Sequence, residues 1–219
     1  MTTKRILDVS NRSMYTGIVT HTLPISDIVE KPGLRRFAFV FPGELLNGLQ
    51  IGASVSVSGV CLTVSSIAED VVIFDAMQET LDKTTLGAVK IGDTVNILRS
   101  AKVGEEHGGH AMYGHVTGTA EIIKKETPEN NCAMTFKVPT EWMKYIFQKG
   151  FIGLDGCSLT VTDPDAEAGT FTVWFIPETL EKTTFGKKTT GDKINLELDA
   201  QTQAIVETVE RVLRERGET

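Results

Sequence analysis

Cys61, Ser158, His115 and Asp199 are the residues of this sequence whose types and spacing suit chemistry. A thiol and a hydroxyl serve as nucleophiles or hydrogen-bond donors, an imidazole moves protons near neutral pH, and a carboxylate orients or accepts them. Their spacing singles them out, because the chain is written twice. GVCLTV at 59–64 matches GCSLTV at 156–161 and sets Cys61 against Ser158. Met14-Tyr15-Thr16-Gly17-Ile18-Val19, aligned with Met112-Tyr113-Gly114-His115-Val116-Thr117, sets Gly17 against His115. IGDTVNI at 91–97 matches TGDKINL at 190–196, and a few residues on Ser100 faces Asp199. A duplicated binding unit that gains catalysis should diverge where the chemistry happens, and these pairs diverge. Each residue also has an ordinary structural explanation: cysteine is often a small buried hydrophobe, and Asp after a strand caps the next helix.

The elements that must hold these residues follow from the same repeat. QETLDKTTLG at 78–87 also matches PETLEKTTFG at 177–186. A period of about 98 residues exceeds any solenoid unit and indicates a duplicated domain. The junction falls near 102–111. The chain therefore divides into an N-terminal extension at 1–13, a first unit at 14–110, a second at 111–201 and a terminal helix at 202–219. Within each unit the apolar segments are short, β-branched and punctuated by glycine, as in VSVSGVCLTVSSI, VVIFDAM and TVNILRS, then FIGLDGCSLTVTD, TFTVWFI and KINLEL. Such segments predict an all-β fold with one small closed barrel per unit. Alternation places Val60, Leu62 and Val64 on one strand face, with Cys61 and Thr63 on the other. Cys157, Leu159 and Val161 likewise oppose Ser158 and Thr160. Short helices interrupt the strands at Phe41–Leu46 and at Thr140–Ile146, the latter with Thr140 as its cap. After Asp199 the period becomes helical, with Ile205, Val206, Val209, Val212 and Leu213 on one stripe of an amphipathic helix ending near Gly217.

Composition excludes several functions. A net charge of −7 without a clustered basic face argues against nucleic acid as a partner. No apolar run reaches the ~18 residues of a membrane span, and the first thirteen residues lack a signal-peptide core. Three cysteines without C-x-x-C spacing give neither a disulfide framework nor a zinc cage, which suits a cytoplasmic protein. His107, His110 and His115 do not suggest a metal site, because residues five apart on an extended segment face opposite ways. The glycine-rich stretch 104–110 has neither a dinucleotide nor a phosphate-loop signature, so no cofactor is expected.

Several motifs in order resemble the riboflavin synthase family: M-Y-T-G-I-V, S-G-V-C-L-T-V, E-T-L-x-K-T-T-L-G, G-G-H-x-x-x-G-H-V, K-G-F-I-G-L-D-G-C-S-L-T-V, I-P-E-T-L-E-K-T-T-F-G and T-Q-A-I-V-E-T-V-E-R-V-L. The resemblance runs from Met14 to about Arg216. It implies two six-stranded Greek-key barrels and a C-terminal helix that joins three chains into a homotrimer. It also implies dismutation of two 6,7-dimethyl-8-ribityllumazine molecules into riboflavin and 5-amino-6-ribitylaminouracil, without metal or redox cofactor. One lumazine would lie in each barrel. The first would touch Gly17, Ile18, Val19, Ser54, Cys61, Leu62, Thr63 and Asp75, Ala76, Met77, Gln78, Glu79 and Thr80. The second would touch Gly114, His115, Val116, Ser158, Leu159, Thr160 and Trp174, Phe175, Ile176, Pro177, Glu178 and Thr179. Lys149 matches a residue that reaches the ligand across a chain boundary, and the catalytic site would form between barrels of neighbouring chains. His115 with Asp199 would relay protons, while Cys61 or Ser158 would supply a nucleophile or hydrogen bond. The resemblance departs at Tyr15, where the family usually has Phe, and in the thirteen residues before Met14, which read as an upstream start in preference to an extension that modifies the site. A non-catalytic lumazine-binding antenna protein shares both barrels. Such proteins typically lack the second-unit motif and the histidine present here.

Overall fold

The computed structural model describes residues 14–102, 104, 108–129 and 131–217. The 1–13 extension and His107 lie outside the described residues. The first unit contains β1 (His21–Pro24), β2 (Asp27–Lys31), β3 (Leu34–Val40), α1 (Gly43–Leu46), β4 (Ser54–Val57), β5 (Val60–Ala68), β6 (Val71–Met77), α2 (Gln78–Lys83) and β7 (Thr94–Arg99). The second contains β8 (Gly118–Glu126), β9 (Cys132–Lys137), β10 (Phe151–Leu154), β11 (Cys157–Asp165), β12 (Thr170–Phe175), α3 (Pro177–Lys182) and β13 (Lys193–Leu198), and α4 (Ala200–Arg216) follows.

β10-β11-β12-β9-β8-β13 form a closed six-stranded barrel. The first unit has the same neighbour order, but its sheet runs β1-β7-β4-β5-β6-β3-β2. The long β8, which pairs with both β13 and β9, corresponds there to two pieces, β1 against β7 and β2 against β3. Pro24 lacks a backbone donor and ends β1. Ile25 then turns into the core and donates its N–H to Asp93 O at 2.9 Å. Because β1 and β2 are consecutive, the chain itself completes the ring that the ladder leaves open. Each barrel has its own core. Val72, Phe74 and Ala76 alternate inward on β6, as Phe171, Val173 and Phe175 do on β12. Each large apolar side chain buried this way contributes at most ~1.5–3 kcal/mol.

The hairpins between β4 and β5 and between β10 and β11 turn at Ser58-Gly59 and Asp155-Gly156, all four with positive φ, as tight primed turns require. The two turns meet head to head: a Cβ on Gly59 would lie 2.7 Å from Gly156 N. Two buried asparagines lock this contact across the barrels. Asn96 donates to Asp155 O at 2.9 Å and accepts from Thr184 N at 2.9 Å, while Asn195 donates to Ser58 O at 2.8 Å and accepts from Thr85 N at 2.7 Å.

Two local expectations change. The 3-10 turn at Thr140–Tyr145 is preceded by Pro139 as its cap, and Thr140 lies within the turn without a capping bond. Asp199 does cap α4, accepting from Thr202 N at 2.9 Å and Thr202 Oγ1 at 2.7 Å, and the helix stops at Gly217 in the left-handed region. The unit boundaries also fail to follow the barrels. Val19 belongs to the second barrel's core and Val116 packs against the first's, because the leading segments of the two repeats cross over. They cross as a pair, with Tyr15 N donating to Met112 O at 2.7 Å and Met112 N to Tyr15 O at 3.1 Å.

Candidate functional site

Each crossing segment closes a pocket on the opposite barrel. Gly114 O accepts from Cys61 N at 3.0 Å, and Gly17 O accepts from Ser158 N at 2.9 Å. Gly17 and Gly114 have φ of 71° and 73°, which favours glycine, and their approach leaves no room for a side chain. A Cβ on Gly17 would lie 2.4 Å from Ser158 Cβ, and one on Gly114 2.5 Å from Cys61 Cβ. Gly17 thus corresponds to Gly114. The pairing of Gly17 with His115 was one position out of step, and His115 faces Ile18. The expected groupings are also exchanged: Gly17, Ile18 and Val19 join Ser158, whereas Gly114, His115 and Val116 join Cys61. Strand alternation predicts which face a residue takes, but not which barrel's segment will cover it.

The Cys61 pocket encloses about 390 Å³, and Glu79 and Thr80 of α2 contribute to its wall. Cys61 lies opposite Ser56, and Thr63 opposite Ser54. Leu62 points into the core. Tyr15, fully buried, donates its hydroxyl to Cys61 Sγ at 3.1 Å, and burial raises the phenol's pKa. The hydroxyl that departs from the expected Phe therefore rests on the thiol. Asp75 faces away from the core and is held by Arg36 through two bonds of 2.7 and 2.8 Å, and the guanidinium keeps its carboxyl below the usual range. Ala76 is buried in the core, Met77 is exposed, and Gln78 donates to Asp82 within α2.

The Ser158 pocket encloses about 310 Å³, with Leu159, Ile176, Glu178 and Thr179 around it. Phe175 turns into the core against Phe185, while Trp174 and Ile176 stay exposed and Pro177 opens α3. Thr160 is exposed on the face it shares with Ser158. Lys149 occupies the exposed turn before β10 with a left-handed φ of 64°. The partner of Ser158 is His110, the first histidine of the G-G-H-x-x-x-G-H-V motif. Its Nδ1 lies 2.6 Å from Ser158 Oγ, a hydrogen bond whose direction the tautomer sets, and its backbone N–H donates to the same oxygen at 3.1 Å. The ring stacks on Phe151 at 5.0 Å, and its buried Nε2 has no partner among the described residues. Burial lowers the imidazole's pKa, and the charge of Asp199 works in the opposite sense. Gly109 permits this approach, since a Cβ there would fall 2.5 Å from Ser158 Oγ. The G-G-H run carried that signal, because two glycines before a histidine mark a backbone pressed against something.

Within one chain the four catalytic candidates form two sets: Cys61 with His115, and Ser158 with His110 and the charge of Asp199. Asp199 couples electrostatically to His110, and His115 to Glu197.

The lumazine-binding domain family matches the chain twice, over residues 16–99 and 113–199. Riboflavin synthase of Escherichia coli K12 is 52% identical over 204 residues, which span 93% of this chain and 95% of that protein. The chain belongs to the riboflavin synthase family. The riboflavin synthase of Buchnera aphidicola subsp. Schizaphis graminum is 43% identical over 92% of this chain and 96% of its own length. Among solved structures, LumP in complex with riboflavin superposes with a TM-score of 0.77 at 25% identity, covering 84% of this chain and 98% of its own. LumP bound to 6,7-dimethyl-8-(1′-D-ribityl) lumazine gives 0.76 at 24% and shares the fold. No helix among the described residues is long and apolar enough to cross a membrane.

Proposed function

We propose that the chain is a riboflavin synthase that binds one 6,7-dimethyl-8-ribityllumazine in each pocket. It transfers a four-carbon unit between two of them, giving riboflavin and 5-amino-6-ribitylaminouracil. The observation that carries this reading is the pair of related but chemically different pockets in a chain 52% identical to a riboflavin synthase. That identity, against 24% and 25% to LumP, favours the enzyme over the antenna protein.

The reaction is redox-neutral: the atoms of two lumazines equal those of the two products, so the balance needs no oxidant, metal or cofactor. One lumazine gives up a proton from its 7-methyl group and becomes a carbon nucleophile toward the other, which is activated at C7. The four carbons then pass across with further proton transfers. These steps call for positioned acids and bases, each worth ~10²–10⁴-fold. His115 and Cys61 supply them on one side, and Ser158 with His110 on the other. Asp199 adds negative charge beside His110 and caps α4.

The complete site combines the Cys61 pocket of one chain with the Ser158 pocket of a neighbour in a homotrimer, with Lys149 reaching across. Support for assembly comes from α4, whose stripe includes Ile205 at 65% and Val209 at 51% exposure. Apolar patches of this kind mark interfaces. The protein works in the cytoplasm on a small-molecule substrate. Incubating the pure protein with the lumazine should produce riboflavin absorbance, whereas tightly held lumazine that is never converted would indicate the antenna reading.

A further inference from the structure

Glu197 lies on β13 in the second barrel's wall, 4% exposed. A carboxylate at such depth is costly unless hydrogen bonds compensate it. Its two oxygens accept one backbone N–H each, from Tyr113 at 2.7 Å and Gly114 at 2.9 Å. Gly114 is the residue whose carbonyl holds Cys61 N, and His115 comes next in the chain. A side chain of the second barrel therefore fixes the peptide that closes the first barrel's pocket. Burial raises the carboxyl's pKa, and the backbone donors oppose the rise.

The duplication supplies the control. Leu98 occupies the corresponding position in the first repeat and packs with Tyr15 and Met112. There the crossing segment is held locally, by Ile18 N donating to Thr16 Oγ1 at 3.3 Å. Gly17 nevertheless has a φ of 71°, close to the 73° of Gly114. A leucine therefore suffices to form the crossing. The carboxylate appears only where the crossing carries an imidazole instead of an isoleucine.

We propose that Glu197 is a positioning residue for catalysis, clamping the Tyr113–Gly114 backbone so that His115 is held in the Cys61 pocket. The inference rests on the riboflavin synthase reading. Two variants of the full chain test it. Glu197→Gln keeps the shape but has one acceptor for two N–H groups, and Glu197→Leu copies the first repeat. Both should raise amide hydrogen exchange at Tyr113 and Gly114 and lower kcat for riboflavin formation by about tenfold or more, with KM changed much less. Riboflavin binding followed by fluorescence should weaken at one of two sites per chain and persist at the other. Should Glu197→Leu fail to fold, Glu197→Gln decides alone. Unchanged exchange at the two amides would overturn the clamp. Faster exchange with native kcat and native binding at both sites would overturn the catalytic role and leave a purely structural one. If the unmutated chain makes no riboflavin, the enzymatic reading fails, and the exchange and binding measurements still decide whether the clamp exists and serves the pocket.

Discussion

The two pockets have one backbone plan and two chemistries. In each, a glycine at positive φ from one repeat presses its carbonyl onto a strand N–H of the other. The Cys61 pocket has a thiol, resting under Tyr15, and an imidazole on the crossing segment. In the Ser158 pocket the crossing segment brings Ile18, Val19 and Thr20 and no imidazole, and Ser158 takes its imidazole partner, His110, from the linker. Duplication supplied two equal frames, and substitution at a few positions gave them different proton inventories. Such a division suits a reaction in which two identical molecules must play unlike parts.

The comparison breaks most completely if the pockets cannot meet. Truncation after Gln201, or Val209→Asp on the exposed stripe of α4, should shift the protein toward monomer in sedimentation, abolish riboflavin formation and leave lumazine binding intact. Full specific activity from a dilute monomer would mean that one chain contains the whole site.

Next in size are the reacting groups. His115→Ala and Cys61→Ala should each cost at least about tenfold in turnover, as should His110→Ala through the loss of Ser158's partner. Native rates in variants that remain folded by circular dichroism would remove those residues from the chemistry.

The frames themselves can be tested one at a time. Gly17→Ala places a methyl against Ser158 Cβ and strains the backbone, so it should weaken ligand binding at the Ser158 pocket while the Cys61 pocket still binds. Gly114→Ala should do the reverse. Equal loss at both pockets from either change would mean that they are not independent frames.

The smallest effect concerns stability. Asp155 stands where the first repeat has Ser58, and burial pushes its carboxyl up to about 6. A raised carboxyl binds its proton more tightly in the folded state, so its penalty is complete above pH 6, shrinks as pH falls, and vanishes below the unfolded value near 3.8. Asp155→Asn keeps an oxygen for Asn195 N–H and should stabilise the protein at pH 7–8 by ~1–3 kcal/mol, with less gain near pH 4. A lower melting temperature at pH 7 would show that the charge is compensated, with the Lys188 cation the first group to examine.

Much of this molecule was legible in order along the chain. VVIFDAM and KINLEL coincide with β6 and β13, and Asp199 and Gly217 bound α4. These are local features, set by side-chain period, by the φ that glycine tolerates and by capping bonds within a few residues. The duplication and the opposed positions of Cys61 and Ser158 were equally plain. The pairing of Gly17 with His115 was not, because an alignment of Met with Met gave no reason to shift by one. Only the tertiary structure showed that the leading segments trade barrels, that His110 serves Ser158, and that Glu197 reaches Gly114. Each of those contacts joins residues far apart in sequence, and its geometry depends on how two finished barrels dock. Periodicity assigns a residue to a face; only docking decides which residue comes to lie against it.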